Sequence, residues 1–150
     1  MPLGINIVGR LKDVQGSMRA RAQFLVQVRA EVFYEDWYDR FGKNERVGGP
    51  PLRPKTIEMK GHDRKLELTF AMRDATTLQE QTFRQSATTF HVQQDVVNYD
   101  EKFPWHEYGR WTAIPPVVPR PTFRLSVDTY GKSFARDARD DMNRIFGSKF

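Results

Sequence analysis

Apolar residues return at steps of three and four between Met18 and about Phe41, where Met18, Ala22, Leu25, Val28, Val32 and Phe33 form one stripe. That spacing is the helical period and predicts a long N-terminal helix, with Ser17 as its N-cap. Phe24, Val26, Phe33, Trp37 and Phe41 form a second apolar edge, so the helix is expected to be buried on more than one side. Ahead of it, Ile5, Ile7 and Val8 predict a short strand ended by Gly9. A second helix closes the chain. Tyr130, Phe134, Ala138, Met142 and Ile145–Phe146 fall on one stripe after a cap at Ser126 or Asp128, with Gly147 at the C-terminal cap position.

Between the helices the period changes. Leu66, Leu68, Phe70 and Met72 alternate with Lys65, Glu67, Thr69 and Ala71, the pattern of a half-buried strand. A turn is expected at Asp74–Thr77. Strands follow over Thr82–Val92 and Val96–Tyr99, rich in Thr, Phe and Val, with a turn at Gln93–Asp95 between them. Residues 42–54 hold three glycines and three prolines, and residues of about 42–55 read as a linker-like loop before a short helix over Thr56–Lys60 stopped at Gly61. The expected fold class is α+β: a long N-terminal helix and a C-terminal helix packed on a small, mainly antiparallel sheet, in a single domain over residues 1–150.

Residues 103–123 break every period. Five aromatics and five prolines crowd into this stretch. Proline fixes its own φ and pushes the preceding residue toward extended geometry, so the segment is expected to be irregular and not a regular helix. Rings this dense need a core or a partner to pack on. The segment is therefore expected to be a clasp, or a subunit interface, built on Trp105, His106, Glu107, Tyr108, Arg110, Trp111, Arg120 and Phe123.

Composition narrows the chemistry. A chain of 150 residues without cysteine has neither disulfides nor thiolate metal sites, and no apolar run reaches the roughly 20 residues of a membrane span. The N-terminus is too soon polar for a signal peptide, which predicts synthesis in a cytoplasm. Net charge is +5, but the cations are interleaved with acids and not gathered on one face. His62, His91 and His106 lack the spacing of a helical metal pair, and no serine sits in a GxSxG frame. Asp140 and Asp141, about 100° apart on a helix, do not converge on one ion. No catalytic residue, metal or cofactor is expected. His106–Glu107 is the most catalytic-looking pair, yet in an extended segment consecutive side chains point to opposite faces.

The order of these features resembles the virion-morphogenesis, or tail-completion, proteins of tailed bacteriophages. Pro51–Leu52, Thr56 and Lys60 match that family's W-x-P-L-x-x-x-T-x-x-x-K stretch after the first helix, with Gly49 or Pro50 where its tryptophan would fall. Phe103 and His106–Glu107–Tyr108–Gly109 match its aromatic and His-Glu-Tyr-Gly element. Pro119–Arg120–Pro121 and Phe123 match its Pro-x-Arg-Pro-Phe element, departing from it at Thr122 and in lacking a small residue between proline and arginine. The resemblance implies an α+β neck protein without catalysis, assembled as a ring, most often a hexamer, around the DNA channel of the virion. Its implied partners are itself, a connector or adaptor on the head side, and a tail terminator or tail-tube protein on the other, with no membrane. In that setting Arg19, Arg21, Arg53, Lys55 and Lys60 are expected to face the lumen and touch genomic DNA in passing. A nucleic-acid-binding module, suggested by the charge, and a small hydrolase or nuclease using His106 and Glu107 are the alternatives.

Overall fold

The computed structural model describes residues 2–10, 16–66, 71–87, 89–114 and 116–146. In chain order these form β1 (Pro2–Arg10), α1 (Gly16–Arg40), a 3-10 turn (Asn44–Arg46), α2 (Pro54–Lys60), α3 (Ala71–Asp74), β2 (Thr76–Leu78), β3 (Thr82–Gln85), β4 (Thr89–Asn98) and α4 (Phe103–Tyr108). The last described elements are α5 (Phe123–Ser126), a π-helical turn (Val127–Gly131) and α6 (Lys132–Phe146). The fold class is α+β.

β4 is the centre of the sheet. β1 runs antiparallel along one side of it, Pro2 opposite Val97 and Arg10 opposite Thr89. On the other side β3 pairs antiparallel with residues 90–93 of β4, and β2 with residues 96–98. Alternation places Phe90, Val92, Gln94, Val96 and Asn98 on the buried face of β4. α1 lies across that face. Its buried stripe is Ala22, Val26, Ala30, Phe33, Trp37 and Phe41, at steps of three and four, and this stripe joins Phe90, Val92 and Val96 in one core.

Four expectations about these elements change. In α1 the residues grouped as the second edge carry most of the core, whereas Phe24 is 63 % exposed and Val32 faces outward. Ala22 and Ala30, both fully buried, complete the inward stripe. Gln93–Asp95 is not a turn, because β4 is continuous through it and Gln94 is simply one of its inward positions. Asp74–Thr77 divides between the end of α3 and the start of β2. Of the strand expected over Leu66–Met72, residues 67–70 lie outside the described residues and Met72 is buried in helical α3. α2 follows expectation, with Pro54 in its first turn and Gly61 (φ 74°) as left-handed C-cap.

α6 is fastened to α1 by Phe134 against Phe33 (centroids 6.2 Å apart) and by Arg29 donating to Asp141 at 2.7 Å. The loop after α1 is no free linker. Val47 is buried, the Gly48 N–H donates to the Pro121 carbonyl at 3.0 Å, and Gly49 holds φ 81° beside Pro119. A Cβ on Gly49 would lie 2.2 Å from the Pro119 oxygen, so glycine is required at that approach.

Candidate functional site

The aromatic, proline-rich segment forms a clasp with two sides. Its first residues are helical, contrary to the sequence expectation: α4 places Pro104 in its first turn, where a missing N–H costs nothing. Phe103 enters the core between Trp37 and Phe41, with centroids 5.3 and 6.3 Å away. Phe123 lies edge-on to Trp37 at 4.9 Å. Gly109 (φ 86°) then turns the chain against Pro119.

Glu107 is fully buried and holds the inner side together. One carboxylate oxygen accepts the backbone N–H groups of Thr122 (2.8 Å) and Phe123 (3.1 Å). The other accepts the Arg124 N–H at 2.9 Å and Arg124 Nε at 3.2 Å. These are the free N–H groups at the start of α5, so Glu107 caps the C-terminal helix from 15 to 17 residues upstream. The cap expected at Ser126 or Asp128 is therefore replaced. Thr122 Oγ1, which could have capped locally, accepts from Trp37 Nε1 at 3.1 Å instead.

His106 points elsewhere. Successive residues of α4 diverge by about 100°, so the separation expected from strand alternation holds for a helical reason. Its carbonyl accepts the Arg120 N–H, and its ring is largely desolvated. Burial holds the imidazole below its ordinary pKa, and the Arg120 charge pushes the same way. Nδ1 of His106 and Nε of Arg120 are both buried without a hydrogen-bond partner among the described residues. With Glu107 saturated by N–H donors and His106 turned away, these two side chains do not form an acid–base pair.

The outer side presents what the inner side leaves over. Arg110 stacks on Trp105 at 4.2 Å, and Arg124 lies over Tyr108 at 5.5 Å. Arg110 and Val117 exchange backbone hydrogen bonds of 2.9 and 3.1 Å, and after this bridge Trp111 is 68 % and Ile114 100 % exposed. Of the expected clasp residues, Trp105, Tyr108, Arg110 and Trp111 face out, Glu107 and Phe123 face in, and His106 and Arg120 lie between. Ile114 was not anticipated. A lone isoleucine between an alanine and two prolines carries no sequence signal of its exposure.

The five basic residues form two groups. Arg19 and Arg21 lie near the start of α1, with Arg19 stacked over Phe83 at 3.8 Å. Arg53, Lys55 and Lys60 belong to α2 and its approach, which is tied to the other end of α1 by Asn44 hydrogen bonds to Asp63 (3.0 Å) and Lys65 (2.8 Å). With 1.5 Å of rise per residue, Arg19 and Arg40 are ~30 Å apart along the helix, so no single patch unites the five.

Among the described residues there is no cluster of His, Asp or Glu positioned to hold a metal, and no helix long and apolar enough to cross a membrane. Comparisons with protein-family models, curated proteins and solved structures find no match.

Proposed function

We propose that this chain is a structural virion protein of a tailed bacteriophage, completing the tail and joining it to the head as a ring around the DNA channel. The observation that carries the reading is the outer side of the clasp. Trp105, Tyr108, Trp111 and Ile114 stand exposed together with Arg110 and Arg124 on a support fixed by the buried Glu107 cap. Aromatic and arginine side chains are the residues that anchor protein interfaces, and preformed anchors lose little entropy on docking. The ordered likeness of PPLRPKTIEMK, FPWHEYGR and PRPTF to the tail-completion family supplies the biological setting. In this reading the partners are further copies of the chain, a connector or adaptor towards the head, and a tail terminator or tail-tube protein towards the tail.

The basic residues fit the same setting. Two separated groups of cations suit a wall along which DNA slides, because a concentrated phosphate-binding patch would hold the genome in place. Arg19, Arg21, Arg53, Lys55 and Lys60 are assigned to that wall. Deleting the gene from its phage is the test. DNA-filled heads accumulating beside unjoined tails is the expected result, and normally joined virions would overturn the proposal.

A further inference from the structure

Residues 117–121 form a strap that lies against the end of α4, between the bridge at Val117 and the Glu107 cap at Thr122. Val117 exchanges backbone hydrogen bonds with Arg110, and the Arg120 N–H donates to the His106 carbonyl. Pro119 lies close against Gly109, and the Pro121 carbonyl accepts the Gly48 N–H at 3.0 Å. At its middle the strap lays one basic side chain beside another. His106 Nδ1 and Arg120 Nε are both buried, and neither has a hydrogen-bond partner among the described residues. Arg120 makes no ion pair among them either; its one side-chain contact is Nη1, 3.5 Å from the Val118 carbonyl.

The other charges facing His106 are mostly of the same sign. Lys102 stands one turn earlier on α4, and Lys60 of α2 adds a further positive charge. Asp100 opposes them, with its Oδ1 taken by the Lys102 N–H at 2.7 Å. The neighbouring carboxylate, Glu107, is engaged at α5. A neutral imidazole fits this corner, and burial together with the Arg120 charge keeps it neutral. An imidazolium does not fit. Its Nδ1–H would find no acceptor, and its charge would lie beside a half-buried guanidinium.

We propose that the strap is an acid-operated latch: protonation of His106 lifts residues 117–121 from α4, while the Glu107 cap and the core rings on either side stay in place. The strap is the part that yields because its hold on α4 runs through His106 and Arg120, whereas Phe103 and Phe123 are anchored against Trp37. Lifting it returns both cations to water and undoes the Arg110–Val117 bridge, so the outer side of the clasp rearranges with it. This latch is independent of what that outer side binds.

Amide hydrogen exchange read by NMR separates such a local release from global unfolding. Between about pH 7.5 and 5.5, after correction for intrinsic rates, protection of the Val117 and Arg120 N–H groups should fall, by at most about tenfold per pH unit because one proton drives it. The Thr122 and Phe123 N–H groups, bonded to Glu107, should keep theirs. In His106→Asn the fall should vanish, and in Arg120→Gln, which lacks the neighbouring charge, it should shrink. Protection lost equally at Val117, Arg120, Thr122 and Phe123 would overturn the latch in favour of global unfolding. Strap protection that does not change with pH, or a fall that persists undiminished in either variant, would overturn it as well. The wild-type profile decides the matter by itself should a variant fail to fold.

Discussion

Glu107 has no exposed surface, and a buried carboxylate requires donors; it takes three backbone N–H groups and the Arg124 guanidinium. Glu107→Ala strands those N–H groups in a dry site. A lost cap and unsatisfied buried donors together should lower stability by about 3 kcal/mol, read as a shift of the urea midpoint. Glu107→Gln, which keeps one acceptor oxygen, should cost less. His106 governs a pH effect of definite sign. Desolvation first, then the Arg120 charge, with Lys102 and Lys60 behind it and Asp100 opposing, depress its pKa in the folded chain below the usual 6.5. Between those two values the unfolded chain binds more protons, so stability is unaffected above about pH 6.5 and falls as pH drops below it. In His106→Asn this part of the slope should vanish from a plot of melting temperature against pH. An unchanged slope would mean that His106 is not desolvated.

At the scale of elements, the link between α1 and the C-terminal helix runs through polar groups. Arg40, buried in α1, donates to Asp36 at 2.8 Å, to Ser126 Oγ at 2.8 Å and to Thr129 Oγ1 at 3.0 Å. Ser126 in turn donates to Asp36 at 2.7 Å, and Arg46 adds a second guanidinium on Asp36. Ser126 ends α5, and Thr129 lies in the π-helical turn that follows. The wide turn shifts the helix register between them while both still reach Arg40. Removing Arg40 takes the more buried of two guanidinium partners from Asp36 and strips Ser126 and Thr129 of a donor. Arg40→Met should therefore destabilise by about 3 kcal/mol in chemical denaturation, and Asp36→Leu/Arg40→Met should regain much of that loss because no charge is left buried. If the double variant is no better than the single, the cluster acts through geometry and not through charge.

For the whole molecule, charge distribution matters more than net charge. The net charge is only +5, the five basic residues assigned to the wall fall into two groups near opposite ends of α1, and other cations are engaged internally, as when Lys65 Nζ donates to the Val47 and Gly49 carbonyls at 3.0 and 2.9 Å. A single copy should therefore bind duplex DNA no more tightly than about 10⁻⁴–10⁻⁶ M at physiological salt, the range of non-specific contacts. Fluorescence anisotropy measures this directly, and clearly tighter binding by the monomer would restore the nucleic-acid-binding alternative.

The local grammar of the chain determined α1, α2 with its Gly61 cap, the amphipathic C-terminal helix and the α+β class, because helical period, glycine stops and strand composition act within a few residues. It also marked Phe103–Phe123 as the segment to watch. Long-range packing decided the rest. Which stripe of α1 became core depended on the sheet it met, and β4 ran straight through Gln93–Asp95 because β1 pairs with it from Thr89 to Val97. Nothing near Glu107 in sequence says that its carboxylate will cap a helix beginning at Phe123; that role exists only once α4 is folded against α5. In the same way, the exposure of Trp111 and Ile114 and the meeting of His106 and Arg120 in one buried corner are properties of elements brought together from distant positions, which no local period encodes.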